Sequence, residues 1–136
     1  MSQSSTTIAY AADGYRAGAC NIGPAEVARR RVAAVVAVVA TVVIAASLVM
    51  IGADPTTRLL IVFPLAGTLV AIGQARSRFC VAYARAGRRN FGALGTTEAI
   101  EDEASLRADR ARANRMILNA AIGGIFGAVL FSALPL

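Results

Sequence analysis

This 136-residue sequence predicts an all-α integral membrane protein with three transmembrane helices. Three observations carry that expectation. Hydrophobic residues make up 57% of the chain and the mean hydropathy is +0.60, more apolar than a soluble domain of this size needs. Three long stretches, residues 32–52, 59–75 and 116–136, hold no charged residue at all. All fourteen basic residues are arginine, and thirteen of them fall in two segments beside those stretches.

Residues 1–19 are small and polar without a sustained period, and read as a flexible tail. The next segment, "CNIGPAEVARRR", carries a helix start, with Gly23 as N-cap, Pro24 at the first helical position and Glu26 in the first turn. Ile22 and Val27 are spaced as a hydrophobic staple across it. Arg29, Arg30 and Arg31 follow one to two turns in, where anionic headgroups attract such residues by about 1 kcal/mol each. The first span, residues 32–52, covers about 31 Å at 1.5 Å per residue, which matches the hydrocarbon core. It continues past the apolar core of a cleavable leader and is expected to stay in the bilayer.

"ADPTT" is long enough only for a tight turn, so the second span, residues 59–75, returns antiparallel to the first. Pro64 is expected to kink it. Beyond it, residues 76–92 read as an interfacial helix with Arg78, Arg85 and Arg89 on one face and Phe79, Cys80, Tyr83 and Gly87 on the other. Gly92 and Gly95 then form a hinge, and Thr97 is the expected N-cap of a charged cytoplasmic helix. Acids precede arginines along that helix, with Glu103 and Arg107 paired at i,i+4, and it runs directly into the third span, residues 116–136. The arginine asymmetry places the amino terminus and the long loop in the cytoplasm of a bacterial inner membrane, and the carboxyl terminus outside.

Small residues punctuate the later spans. Gly123 and Gly127 form a GxxxG, Ala120 and Gly124 overlap it, and Gly67 with Ala71 repeats the spacing in the second span. Small residues let backbones approach where lipid supplies no hydrophobic drive, so these six positions are expected to pack helices, within the chain or against another. Asn119, one turn inside the third span, reads as an interhelical or headgroup hydrogen bonder.

The chain contains no histidine, which excludes imidazole ligation and histidine-based nucleophilic catalysis within it. Cys20 and Cys80 are sixty residues apart and form no CxxC; they are weak candidates for soft-metal or sulfur chemistry. Both stand near arginines, a setting that favours thiolate. The Cys80-x4-Arg85 spacing lacks the glycines of an anion-binding loop and reads as helix.

"CNIGPAEVARRR", an apolar span, a second span and "CVAYARAGRRN", taken together, resemble the small YgaP-type transmembrane domain family of bacterial inner membranes. The matching positions are Asn21, Ile22 and Gly23, then Cys80, Tyr83, Gly87 and Asn90. The resemblance covers residues 20–92 and implies a helical-hairpin membrane domain, often dimeric and sometimes attached to a sulfur-transfer domain. Residues 93–136, with the charged helix and the third span, have no counterpart in it, and Val81 stands where the family has proline.

The expected function is that of a non-catalytic structural or accessory subunit that needs no cofactor. Its expected partners are anionic lipid headgroups and other membrane helices, without nucleic acid. A thiol-dependent partner in sulfur or metal handling is the alternative, and a small transporter or channel is disfavoured by the uncharged spans.

Overall fold

The computed structural model describes residues 14–136. Three long helices make up the body of the fold: α1 (Pro24–Met50), a composite second helix, and α5 (Glu103–Ala133). The composite begins as the single turn α2 (Pro55–Arg58), passes through a 3-10 turn (Leu59–Ile61) and continues as α3 (Val62–Ser77). A short helix α4 (Val81–Ala86) and a two-stranded antiparallel ribbon, β1 (Arg88–Arg89) with β2 (Glu98–Ala99), fill the connection to α5. All three long helices are long and apolar enough to cross a membrane.

The composite helix is the middle one: α1 and α5 each pack along α3 without a comparable contact between themselves. The sequence explains which faces meet. On α1 the inward row is Ala34, Ala37, Thr41, Ala45 and Leu48, at helical spacing, while Val32, Val35, Val36, Val39, Val42 and Val43 lie exposed. On α5 the buried row is Ser105, Asp109, Ala113, Ala120, Gly124 and Ala128. An ideal Cβ on Gly124 would sit 2.9 Å from the Ala66 Cβ, and one on Gly127 2.5 Å from the Leu65 side chain. Gly123 meets Leu69 in the same way at 2.8 Å. The glycine motif therefore serves contact within the chain, between α5 and α3. Gly67 is the exception among the six: it faces open space, and Ala71 is only half-buried.

Two lone hydroxyls sew α1 to α3 at membrane depth. Thr41 and Thr68 hydroxyls lie 2.8 Å apart, and each also reaches the Ala37 carbonyl, at 2.8 and 3.1 Å. On the far side the Arg58 side chain is buried and donates to the main-chain oxygens of Ala53, Leu134 and Leu136. Asp54 caps the turn before it through the Thr57 amide.

Several sequence expectations change. Pro64 does not kink the middle of its span; it stands in the first turn of α3, and the tighter 3-10 turn falls where the Pro64 ring removes the amide that Leu60 would need. Residues 76–92 are not one interfacial helix. Arg78 adopts a left-handed conformation that ends α3, and Gly87 (φ +71°) ends α4 after six residues, so Arg78, Arg85 and Arg89 share no helical face. Thr97 is not an N-cap: it belongs to the turn that accepts Arg88 and feeds β2. The pairing of β1 with β2 holds residues 98–99 extended, and α5 begins only at Glu103, capped by Asp102, whose carboxylate accepts the Ser105 amide at 3.0 Å. The expected Glu103–Arg107 pair forms on the solvent side at 4.0 Å. Of the expected tail, residues 1–13 lie outside the described residues, whereas Tyr15 to Cys20 form a turn docked on α5.

Candidate functional site

The described polar residues converge most densely where α1 begins, α3 ends and the long connection folds back. Asn21, Glu26, Cys80 and Asn90 are all buried there. Gly23 starts α1 as expected, but its amide serves the Asn90 carbonyl at 2.8 Å rather than solvent. A side chain at Gly23 would collide with the Phe91 backbone, its Cβ 2.9 Å from the Phe91 Cα, so only glycine allows this approach. The Asn90 amide in turn donates to the Asn21 carbonyl, and Ile22 and Asn90 pair as a parallel bridge. Ile22, Val27, Cys80 and Tyr83 pack beneath as a small apolar cluster, so the predicted staple is part of a larger core.

Asn21 clamps the Cys80 peptide from both sides. Its Oδ1 accepts the Cys80 amide at 2.7 Å and its Nδ2 donates to the Cys80 carbonyl at 3.0 Å. Glu26 is the second hub. Its Oε1 accepts from the Tyr83 hydroxyl at 3.0 Å, Asn90 Nδ2 at 3.1 Å and the Gly95 amide at 3.3 Å. Its Oε2 has no hydrogen-bond partner among the described residues but lies 3.7 Å from Arg30 Nη2, which neutralises the buried charge. Burial and the Glu26 carboxylate both push the Tyr83 phenol up, so it stays a donor. Asn90 Oδ1 accepts the Gly92 amide at 2.9 Å, which pins the expected glycine hinge as a closed loop.

A second buried acid, Asp109, holds the incoming segment. It accepts the Tyr15 hydroxyl at 2.8 Å and the Gly18 amide at 2.6 Å. Desolvation first, then the Asp109 hydrogen bond, raises the Tyr15 phenol well above its ordinary value. The Arg89 guanidinium lies over the Tyr15 ring, 5.1 Å from its centroid.

The arginines expected at lipid headgroups divide. Arg29, Arg31, Arg78 and Arg85 are exposed. Arg30 instead turns inward, 3.0 Å from Cys80 Sγ and 5.9 Å from the Tyr83 ring centroid, and Arg89 is engaged with Tyr15 and Glu98. Both cysteines are free thiols. Cys20 does not show the lowered pKa its arginines would favour: burial outweighs Arg78 and Arg16 and pushes the thiol up. Cys80 is fully buried, with Arg30 against its sulfur. Among the described residues no group of three or more acids or cysteines is placed to hold a metal ion.

Chemically, then, this is a cap. Its carboxylates and amides are spent on main-chain groups and on one another, tying α1, α4, the ribbon and α5 together. Sequence reasoning identified Asn21 and Asn90 only through the family resemblance, singled out Cys80 also as a thiol candidate and placed it with Tyr83 on one helix face, and treated Glu26 as a first-turn acid. Asp109, Arg58, Thr41 and Thr68 were missed. Thr41, Thr68 and Asp109 each stand in an apolar or oppositely charged stretch, and Arg58 is the one arginine of the short turn; that placement was the available signal. Comparison with known protein families, curated proteins and solved structures finds no match for this chain.

Proposed function

We propose that this chain is a non-catalytic accessory subunit of a bacterial inner-membrane assembly, with its polar cap in the cytoplasm. The observation that carries the reading is how the cap's groups are used. Asn21, Glu26, Tyr83 and Asn90 all face one another or the backbone, while α1 keeps a row of valines unpartnered along its outer face. Such a molecule offers surfaces for other helices rather than a reactive centre. The arginine distribution supports the orientation, and the motif positions that resemble YgaP-type domains are the cap's own building blocks. Extraction of tagged protein in mild detergent, followed by mass spectrometry, tests the reading. It is expected to carry a defined set of membrane proteins, reduced when Val36 and Val43 on the outer face are replaced by Phe. Recovery of the chain alone from native membranes would overturn it.

The thiol alternative has one observation in its favour, the Arg30 guanidinium against Cys80 Sγ. Under that reading Cys80→Ala leaves assembly intact but removes protein-bound persulfide or metal. Loss of neither favours the accessory role.

A further inference from the structure

A cavity of about 370 Å³ opens between α3 and α5, lined by Leu69, Val70, Gly73, Met116, Asn119 and Gly123 among others. Its walls are apolar except for one amide. Asn119 is exposed there and makes no hydrogen bond with any described residue. An amide on a span's outer surface is costly unless a partner supplies donors or acceptors. The two helices run antiparallel past the cleft, since Gly73 lies against Met116 and Leu69 against Gly123. Their continuations beyond the cleft each bear arginine within a turn or so: Arg76, exposed, on α3, and half-buried Arg112 on α5, whose Nε has no hydrogen-bond partner among the described residues. Arg112, Met116, Asn119 and Gly123 follow one another at i, i+4, i+7 and i+11, a single face of α5.

From outside inward that face presents a cation, then an amide, then an apolar cleft. A phospholipid presents phosphate, then ester carbonyl, then acyl chain in the same order. We infer that the cleft between α3 and α5 seats one anionic glycerophospholipid. Its acyl chain fills the space beside Gly73, an ester carbonyl accepts from Asn119, and its phosphate and anionic headgroup lie against Arg112 and Arg76. The charge complementarity favours a lipid over a second apolar helix, which would leave the arginines and the amide without counterparts. The inference depends on the membrane location alone and not on the accessory role.

Purified chain in detergent, titrated separately with a phosphatidylglycerol and a phosphatidylcholine and read by native mass spectrometry, tests this. One phosphatidylglycerol is expected to remain bound in preference to phosphatidylcholine. Neutralising Arg76 or Arg112 to Gln weakens retention about five-fold each. Asn119→Leu weakens both lipids, and Gly73→Leu, which fills the cleft against only the flexible end of Met116, abolishes retention. Val39→Leu, on the far face of α1, leaves it unchanged. Should Gly73→Leu fail to give monodisperse protein, the exposed Arg76→Gln and Asn119→Leu decide alone. Equal retention of the two lipids, or retention indifferent to these variants, overturns the inference. So does a dimer that Asn119→Leu dissociates, because the cleft would then be occupied by a second copy of the chain.

Discussion

At the scale of single residues, the cap depends on groups that have no substitute. When Asn21 is truncated to Ala, the Cys80 amide and carbonyl lose their shared partner in a buried site. Each orphaned group costs about 1–3 kcal/mol, so thermal unfolding in detergent is expected at clearly lower temperature for Asn21→Ala. An unchanged midpoint would remove the clamp from the account of stability. Ionisation reports on the same region. The Tyr15 phenol has a folded-state pKa raised above its unfolded value of 10.0. Its contribution is therefore complete below pH 10 and is lost as pH rises beyond that toward the folded value. Trypsin cleavage at Arg16, slow at pH 8 because the turn is docked, is expected to accelerate in a brief pulse above pH 10, and Tyr15→Phe should flatten that rise. Cys20 supplies a further check: with burial pushing its thiol above the ordinary range, alkylation at pH 8 is expected to run slower than for a free thiol. Reaction as fast as an unhindered low-pKa cysteine would revive thiolate chemistry.

At the scale of elements, packing decides more than composition does. Gly124 and Gly67 look alike in sequence, yet one lies against the Ala66 backbone and the other in open space. Gly124→Leu is expected to separate α5 from α3 and destabilise the fold, whereas Gly67→Leu should be tolerated, as measured by unfolding in detergent or bicelles. The Thr41–Thr68 pair is suited to a double-mutant cycle to Val, with a coupling of roughly 0.6–1.7 kcal/mol by analogy with other bilayer hydrogen bonds. The spans, the Gly23 helix start and the Ile22–Val27 staple were legible because length, charge gaps and capping act locally. The break-up of residues 76–92 was not. The heptad-like placing of Arg78, Arg85 and Arg89 obeys helical spacing, but Asn21 and Gln74 bind the Cys80 and Val81 amides and force the chain to turn. Part of that competition comes from Asn21, far off in sequence, and part from Gln74, one helix end away. Thr97 misled because pairing of β2 with β1, about ten residues upstream, overrode a local cap.

At the scale of the whole molecule, the middle helix carries the assembly of the other two, and polar closure occurs at both membrane faces. The orientation is open to a direct test. In a background with Cys20→Ser and Cys80→Ala, a cysteine at exposed Thr56, in the turn between the first two spans, is expected to react with an impermeant reagent in intact cells. One at exposed Leu94 should react only after lysis. Reaction at Leu94 in intact cells would invert the topology. The buried Arg58 also bears on how the chain is made. Spans one and two can enter the bilayer together as a hairpin, yet two of the three acceptors for the Arg58 guanidinium come from Leu134 and Leu136, at the end of the third span. Without that segment, the Arg58 guanidinium keeps only the Ala53 carbonyl of its three main-chain acceptors. Closure of this end therefore waits on the third helix: a chain truncated before residue 134 is expected to leave the hairpin's cation unlatched.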